Sequence, residues 1–316
     1  MSAYSLLAGE ASEQFSCFGG ECVVLVEGFG PAGTATQAAA ATKRRLLAWH
    51  QQFSRFEPGS ELATLNRDSR ATVPVSPLMA RFVEAALGAS GLTNGLVDPT
   101  LVGELEAAGY AAHFASAPLP LADALKLTVE RTPARPSELA RWREIRVNRH
   151  AQTVTRPPGV RLDSGGIAKG LFADVLGSLL CGHDSFAVNA AGDARFGGIA
   201  RASRAVQVAN PFDDSVLHVF ELDRGGVATT GVGRRSWLDG DGLPAHHLLD
   251  PGTGRPALTG VVQATALAPT AVEAEALAKA ALLSGPHHAA GWLRHGGLVV
   301  YDSGKFDVID PAGVRG

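Results

Sequence analysis

Cysteine is scarce in this sequence, with three residues among 316. Three is too few for a disulfide framework or for a pair of zinc knuckles. Cys17 and Cys22 could pair only with each other, and Cys181 stands apart from both. The simpler interpretation is therefore a protein that works in a reducing compartment.

Long apolar runs are also missing, because no stretch approaches the roughly 18 apolar residues that a membrane-spanning helix needs. The first basic residue is Lys43, so the N-terminal segment lacks the charged start of a secretory signal. Leu6 to Gly9 resembles the start of a lipoprotein cleavage box, but Glu10 stands where the lipidated cysteine would be. These absences predict a cytoplasmic protein with no membrane insertion.

An excess of either charge is absent as well. The chain has 28 Lys and Arg against 31 Asp and Glu, a net charge of −3, without a basic cluster that would indicate nucleic-acid binding. Hydrophobic residues make up 46% and charged residues 19%, an ordinary balance for a globular protein. The 37 glycines and 18 prolines favour a mixed α and β chain over a helical bundle. Repeats or low-complexity linkers that would mark a domain boundary are not seen.

The most informative stretch is 161–174, which contains Asp163, Gly165, Gly166, Lys169 and Gly170. The spacing of apolar residues predicts a helix at 171–181 with one buried face, formed by Leu171, Val175, Leu176 and Leu179. Glycines at a helix entrance let an anion approach N–H groups without partners, and the lysine adds positive charge. A phosphate or pyrophosphate site is one interpretation, and an ordinary tight turn is the other. The glycine and lysine spacing is not that of a Walker A loop.

A second glycine pattern, Gly28-x-Gly30-x-x-Gly33, follows a predicted strand at 22–27 and precedes a predicted helix at 34–53. It formally matches a dinucleotide-binding motif. However, that motif needs a second strand ending in an acidic residue about 20 residues on, and none follows here. Pro31 also removes one N–H from the loop. A hairpin or a strand-to-helix turn is the favoured interpretation.

Two further sites of interest carry acidic or histidine side chains. Asp98, before Pro99, is either a helix-capping carboxylate or a group that faces a ligand. His246 and His247 lie on an extended segment, so at most one of them faces a given site. His247 with Asp250 could act as a donor or general base near a phosphate, or the histidine could simply hold the turn.

The remaining elements are predicted from periodicity and capping signals. Ser60 and Thr270 are expected helix N-caps. Glu275 and Lys279 lie four residues apart in the last of these helices, the spacing of a surface ion pair. Helices are expected at 61–65, 77–87, 101–108 and 269–284, and strands at 145–147, 153–155, 186–188, 206–208, 217–222, 226–231 and 298–301, the last of them ending the fold.

Together these stretches resemble the ApbE family, the FAD:protein FMN transferases. The matches occur in the family's order and cover about 18–301. They are Phe53-Ser54-Arg55-Phe56 with Ser60-Glu61-Leu62 and Leu65-Asn66, Asp98-Pro99-Thr100, Asp163 to Gly170 with Asp174, Gly192-Asp193, Ala228-Thr229-Thr230-Gly231, His247 to Pro256, and the helix of Glu275.

The resemblance implies a mixed α/β (α+β) fold with two intertwined subdomains around an FAD cleft. It implies one domain over 1–316, with an N-terminal extension of about 1–15. Members move FMN from FAD to a Thr or Ser hydroxyl of a target protein and release AMP, with Mg²⁺ on the pyrophosphate. The expected partners are FAD and an acceptor flavoprotein, with no nucleic acid. An FAD pyrophosphatase and a non-catalytic FAD-binding protein are the alternatives.

Matching residue by residue also assigns roles. His247 corresponds to the family's active-site histidine, and Lys169 is expected to take part in catalysis and in FAD binding. The expected FAD-binding residues are Phe18, Phe56, Leu96, Val97, Asp98, Asp163, Lys169 and Leu249.

The implied metal site departs from the family. Members use a backbone carbonyl, which corresponds to Gly166, with an Asp and a Thr that correspond to Glu275 and Lys279. A protonated lysine cannot ligate Mg²⁺. Lys279 either occupies the metal's place beside Glu275, or it points outward and leaves a weaker site of Gly166, Glu275 and waters. We expect a weakened or absent metal site. Smaller departures are Gly20, where the family has Thr, and Ala191, where it has Gly.

Overall fold

The structure is a computed structural model that describes residues 9–112, 119–128 and 130–311. Most of the stretch that resembles a lipoprotein box lies outside these residues. Within them, no helix combines the length and apolar character needed to cross a membrane. The helices are α1 (Ala35–Gln52), α2 (Glu61–Arg67), α3 (Pro77–Leu92), α4 (Val102–Ala107), α5 (Leu121–Lys126), α6 (Ala168–Leu180), α7 (Ala271–Leu283) and α8 (Ala289–Trp292), with a 3₁₀ turn at Arg141–Glu144.

The strands are short and numerous, as the glycine and proline content suggests. They are β1 (Ala11–Cys17), β2 (Gly20–Glu27), β3 (Phe29–Gly30), β4 (Gly33–Thr34), β5 (Thr72–Pro74), β6 (Arg146–Asn148), β7 (Thr153–Thr155), β8 (Ser185–Ala190), β9 (Asp193–Gly197), β10 (Arg204–Ala209), β11 (Val216–Leu222), β12 (Gly225–Gly231), β13 (Ser236–Leu238), β14 (Pro244–His246), β15 (Leu249–Asp250), β16 (Arg255–Pro256), β17 (Val261–Ala268), β18 (Gly297–Tyr301) and β19 (Phe306–Ile309).

An eight-stranded sheet forms the centre of the fold, in the order β1-β2-β8-β9-β12-β17-β18-β19. Each of its neighbouring pairs is antiparallel. Side chains alternate between its two faces, so β2 sends Val24 and Val26 into one core cluster and Leu25 into another. The mixed α+β class predicted from the sequence is confirmed.

The two faces of the sheet are covered differently. Helices α1, α6 and α7 pack on one face, against β1 and β2, β8 and β9, and β12 and β17 respectively. The hairpin β10–β11 covers part of the other face, where Val206 packs with Leu25, Ala187 and Phe196. The helical face therefore holds the larger core, and the hairpin face stays open beyond the end of the hairpin.

The N-terminal end of α7 is fixed against the first half of α6. The Asp174 carboxylate of α6 accepts the N–H groups of Ala271 and Val272 at 2.9 Å each, and so caps α7. Gly170 makes the close approach possible, because a Cβ there would lie 2.6 Å from the Ala271 carbonyl oxygen. This contact sets Lys169 beside α7.

Several predicted elements are confirmed and others are corrected. Ser60 and Thr270 cap α2 and α7 as expected. The Gly28–Gly33 pattern is the hairpin β3–β4, followed by α1 with Thr34 as its N-cap. By contrast, α3 continues to Leu92 instead of ending near residue 88, since burial of Ala86, Ala89 and Ser90 outweighs the two glycines in its last turns.

Three other expectations about the fold are wrong. Helix α6 begins at Ala168, earlier than residue 171, and Leu179 on its predicted buried face is exposed, because Leu176 and Leu180 take the core side. Strand β1 begins at Ala11, inside the segment expected to be an extension. Strand β18 is not the last, since β19 pairs beyond it. Strands β1 and β19 lie at the two edges of the sheet; β1 is mostly polar, and Asp307 interrupts the short apolar stretch of β19, so neither has a clear apolar run. The interior strands β9 and β17 were also not predicted.

Candidate functional site

A cavity of about 270 Å³ opens between the loop that leads into α6 and the segment around His247. Its lining includes each predicted FAD-binding residue, namely Phe18, Phe56, Leu96, Val97, Asp98, Asp163, Lys169 and Leu249. Gly166, His247 and Lys279 line it too, and Glu275 lies just behind them, fully buried. Residues from opposite ends of the chain are thus brought together in one place.

One side of this cavity is an aromatic wall held by Arg55. The Arg55 guanidinium lies 4.2 Å from the ring centre of Phe56 and 4.7 Å from that of Tyr110. The same side chain forms an ion pair with Asp163, 3.1 Å from Arg55 Nε to Asp163 Oδ1. Phe56 and Tyr110 meet edge to face with ring centres 5.4 Å apart. The wall is therefore preorganised to pack against a flat ring system.

Both acidic residues of the cavity also shape their own turns. Asp98 Oδ1 accepts the Thr100 N–H at 2.8 Å and the Thr100 hydroxyl at 2.6 Å. Asp163 Oδ2 accepts the Gly165 N–H at 2.9 Å, which holds the loop before α6. Burial raises the pKa of Asp98. The two alternatives for Asp98, a carboxylate that organises a turn and one that faces the cavity, are both realised.

At the other end of the cavity, two lysines and two carboxylates form a buried cluster. Lys169 donates to Asp193 and lies 3.2 Å from Glu275 Oε1. Lys279 Nζ lies 2.9 Å from the same oxygen, and Glu275 Oε2 accepts the Gly170 N–H at 3.0 Å. The cluster balances two positive and two negative charges. The Glu275 carboxylate thus takes up one of the free N–H groups at the N-terminal end of α6, that of Gly170.

The pKa values in the cluster follow from burial and mutual charge. Burial opposes the charge of Lys169, but Asp193 and Glu275 outweigh it and raise the lysine's pKa. Burial likewise opposes the charge of Glu275, yet the two lysines and the Gly170 N–H lower its pKa. Burial, together with the charge of Glu275, raises the pKa of Asp193 to about 7. Asp193 is thus the member of the cluster that changes charge near neutral pH.

These residues do not fit a Mg²⁺ ion. Lys279 is 8% exposed and points at Glu275, so it takes the inward of the two orientations that the sequence left open. Both lysines donate to Glu275 Oε1, the oxygen that would have to ligate the metal. Over 9–112, 119–128 and 130–311, no group of three or more His, Cys, Asp or Glu side chains could hold a metal ion. Glu275 and Lys279 are both buried, so they do not form the surface ion pair that their spacing in the sequence predicts.

The adjacent histidines divide their roles as the extended backbone requires. His246 is buried, with its Nε2 3.0 Å from the Ala257 carbonyl oxygen and its Nδ1 accepting the Leu248 N–H at 3.2 Å. His247 faces the cavity instead, and its Nδ1 is buried without a hydrogen-bond partner. Burial, Arg235, His246 and Lys279 lower the pKa of His247 well below its usual range. The imidazole is therefore neutral and able to accept a proton.

Of the two alternatives for His247, the one that pairs it with Asp250 is not realised. Asp250 Oδ1 accepts the N–H groups of Arg135 and Gly252 at 2.8 and 2.9 Å, and Oδ2 accepts the Thr253 hydroxyl at 3.0 Å. The carboxylate holds the turn between β15 and β16 and is not part of the cavity lining. The short separation of Asp250 from His247 in the sequence did not reveal this arrangement, because the chain reverses direction at the turn.

Sequence reasoning missed several residues of the site. Arg55 and Tyr110 complete the aromatic wall, and Arg234 and Arg235 line the cavity near His247. Arg235 Nη2 also donates to the Phe18 carbonyl oxygen at 2.6 Å. The adjacent arginines were a visible signal, since such a pair beside an expected anion site is suggestive. Tyr110 carried no local signal.

Two small departures from the family compensate for each other. A Cβ at Gly20 would lie 2.9 Å from the Ala191 Cβ, so a side chain at both positions would collide. Ala191 adopts a φ of 56°, in the left-handed region that favours glycine. Gly20 thus provides the room that Ala191 occupies.

Comparison with known proteins agrees with this arrangement. The ApbE family model matches residues 19–301. The FAD:protein FMN transferase of Treponema pallidum is 30% identical over 250 residues, which are 74% of this chain and 68% of that protein. The Escherichia coli K12 FAD:protein FMN transferase is 27% identical over 266 residues, 81% of this chain and 74% of that protein.

Solved structures show the same fold. The ApbE protein of Thermotoga maritima superimposes with a TM-score of 0.75 at 25% identity, covering 95% of this chain and 97% of that one. The flavin transferase ApbE of Vibrio cholerae gives a TM-score of 0.70 at 20% identity, covering 96% and 98%. Since the family model spans most of the sequence, this chain belongs to the ApbE family.

Proposed function

We propose that this protein transfers FMN from FAD to a Ser or Thr hydroxyl of an acceptor protein and releases AMP. One observation carries the proposal: Lys169, Lys279 and the neutral His247 meet at one end of a cavity whose other end is aromatic. The relatives named FAD:protein FMN transferase support it. Phe18, Phe56 and Leu249 suit the flavin or adenine ring, and the two lysines suit the pyrophosphate.

The residues at the lysine end divide the work of phosphoryl transfer. Such a reaction needs negative charge neutralised on the phosphate oxygens and a nucleophile held in line. Lys169 and Lys279 supply fixed positive charge, and the carboxylates of Asp193 and Glu275 hold their ammonium groups in place. His247 lines the cavity and accepts the proton of the attacking hydroxyl through its imidazole.

Lys279 takes the role that a metal ion has in the family. Its ammonium lies on the cavity wall, 2.9 Å from Glu275 Oε1, at the position where the family resemblance places a metal ligand. The Lys279 ammonium is part of every protein molecule, so the positive charge at this position does not depend on a bound divalent ion. We therefore expect transfer to proceed in the presence of a chelator. The single-domain organisation over 1–316 and the cytoplasmic location remain predictions.

The test is to incubate the pure protein with FAD and a pool of synthetic decapeptides that each contain one central threonine, with EDTA or with Mg²⁺. AMP release with a peptide mass gain equal to one FMN is the expected result in both conditions. AMP without peptide modification would replace the proposal with FAD hydrolysis. Tight FAD binding without release of AMP would indicate a flavin-binding protein that does not catalyse the reaction.

The threonine-to-alanine copy of the peptide pool is the matched control. It should release no more AMP than protein and FAD alone, because it offers no hydroxyl.

A further inference from the structure

The central sheet contains a notch where two of its middle strands stop early. Strands β8 and β9 are joined by the two-residue turn Ala191-Gly192, and both residues have positive φ. Their last pairs are Ala190 with Cys22 on β2 and Asp193 with Ala228 on β12. Beyond the turn, β2 continues to Gly20 and β12 continues to Gly231. These two strands are three strand spacings apart, about 14 Å.

A second cavity, of about 280 Å³, lies at this notch on the hairpin face of the sheet. The alternation of side chains along each strand places Val23, Asn189, Thr229 and Gln263 across its floor. Residues 207–211, at the end of hairpin β10–β11, form a side wall. The lining of the second cavity thus consists mainly of polar side chains and strand ends, whereas the first cavity has an aromatic wall.

The two cavities share one wall. Residues common to both linings are Phe18, Gly19, Gly165, Lys169, Arg234, Arg235, His247 and Lys279. The lysines and the histidine can therefore be reached from both sides. A group that enters through the second cavity meets them from the side opposite to a ligand in the first cavity.

Strand β12 presents a free edge to the notch. The Thr229 N–H points toward the turn and donates to the Gly192 carbonyl oxygen at 3.3 Å, whereas the Val232 N–H donates to Val262 on the opposite side at 3.0 Å. In an antiparallel strand these directions alternate, so the N–H and C=O of Gly231 point into the notch. Strand β9 pairs with β12 only up to Ala228. Gly231 thus offers backbone groups to an added strand.

We propose that the notch binds the acceptor as an extended segment that pairs with the β12 edge and presents its Ser or Thr hydroxyl to the shared wall. This inference rests on the proposed transferase function. An extended chain fits because its backbone can pair with Gly231 at the strand edge. Alternate side chains of the segment would face the polar floor at Asn189 and Gln263.

The chemical step balances in this geometry. The hydroxyl oxygen forms a bond to the FMN-side phosphorus, and the bond from that phosphorus to the bridging oxygen breaks. The hydroxyl proton passes to His247. AMP leaves with the bridging oxygen, whose negative charge Lys169 and Lys279 neutralise. Donor and acceptor enter from different sides, so neither has to displace the other.

The test fills the notch without touching the first cavity. Thr229 is exposed on the floor of the notch, and its hydroxyl lies 2.9 Å from that of Thr265. Thr229→Trp should lower kcat/KM for the threonine decapeptide pool at least tenfold and leave the dissociation constant for FAD within twofold. Thr72→Trp is the matched control, because Thr72 is also exposed and also pairs through its hydroxyl, at 2.9 Å, with Thr155. It should leave both values unchanged.

A second pair of variants tests the strand pairing and guards against misfolding. Gly231→Pro removes the N–H that faces the notch, and Gly231→Ala keeps it. Thermal melting first verifies that both variants are folded. Only the proline variant should then raise KM for the peptides, by at least fivefold.

The outcomes separate the two proposals. Unchanged peptide kinetics in Thr229→Trp and Gly231→Pro would overturn the notch as the acceptor site and leave the transferase function standing. Absence of any FMN transfer by the unaltered protein would overturn the function itself.

Discussion

The two cavities differ in almost every respect except the wall between them. The first is aromatic and lies on the helical side, with Arg55 holding Phe56 and Tyr110. The second is polar and lies at strand ends on the hairpin side. If both proposals hold, a large ring-bearing donor and a flexible polypeptide reach the same lysines from different sides. An aromatic surface suits the rings of the donor, and a polar surface with a strand edge suits an extended polypeptide.

The shared wall should matter for catalysis more than for binding in either cavity. We expect His247→Ala to lower the rate of FMN transfer by about 100-fold or more, the usual loss when a general base is removed. The dissociation constant for FAD should change by less than about threefold, because the ring-binding wall is untouched. Single-turnover AMP release and a flavin titration measure the two quantities.

His246 provides the neighbouring control. It is bonded through both ring nitrogens and faces away from the cavities. Its replacement by alanine should lower the melting temperature and leave the transfer rate per folded molecule unchanged. An equal loss of FAD binding and transfer in His247→Ala would contradict the division between wall and cavity.

The second prediction concerns the cation in the wall. Lys279→Thr should lower transfer in EDTA by about 100-fold, the effect of losing one charge-stabilising group. Mg²⁺ should restore part of the rate, because Glu275 Oε1 loses one ammonium and gains a hydroxyl neighbour four residues along α7. Calorimetric titration with Mg²⁺ should show binding in the variant and none in the parent.

Lys126→Thr is the matched lysine variant. Lys126 pairs with Asp123 at 2.7 Å on the surface of α5, and both side chains are exposed. Exposed pairs of this kind contribute at most about 1 kcal/mol. The variant should behave like the parent in EDTA and in Mg²⁺. Loss of the parent's own activity on chelation would refute the role of Lys279.

The aromatic wall should affect donor binding alone. Phe56→Ala removes a ring that is fixed between Arg55 and Tyr110. We expect the dissociation constant for FAD to rise about tenfold, equivalent to about 1.4 kcal/mol. The KM for acceptor peptides should stay the same. Phe29→Ala, at a phenylalanine that is 75% exposed, should change neither value.

The smallest expected effect is a pH dependence of FAD binding. Asp193 has a pKa of about 7, so its protonation on acidification changes the charge of the four-residue cluster from zero to plus one. The pyrophosphate is anionic, and FAD should bind a few-fold more tightly at pH 6 than at pH 8. Burial and the neighbouring positive charges lower the pKa of His247, so we assign this pH dependence to other groups.

Asp193→Asn should weaken this pH dependence, because the asparagine is neutral throughout; His50, which also lines the cavity and whose pKa is raised by its hydrogen bond with Cys17, accounts for the remainder. Fluorescence titrations of both proteins between pH 6 and pH 8 give the comparison. Affinity that increases with pH in the parent protein would show that the sign of the linkage is wrong.

Much of the first cavity could be predicted from the sequence. The loop around Asp163 and Lys169, the cap at Thr270 and the orientation of His247 depend on residues that are close together in the chain. Local periodicity and turn chemistry govern such features, and the ordered motifs of the ApbE family place them in one site. The i, i+4 spacing of Glu275 and Lys279 was also readable, although its burial was not.

The remaining features depend on packing between distant segments. Glu275 is buried because Gly170 lets α6 and α7 approach and Asp174 caps α7. Asp250 turns away from His247 because the β15–β16 turn needs its oxygens. The edge strands β1 and β19 are not recognisable alone, because β1 is mostly polar and β19 is only four residues long.

The fold class, the family and the residue types proposed to contact a pyrophosphate can be recognised from local patterns that follow one another in a fixed order. The inward direction of Lys279 and the notch beyond the Ala191-Gly192 turn appear only in the folded chain. The physical reason is that both depend on where strands and helices end relative to one another. That relation is set by long-range packing, which no short stretch of sequence contains.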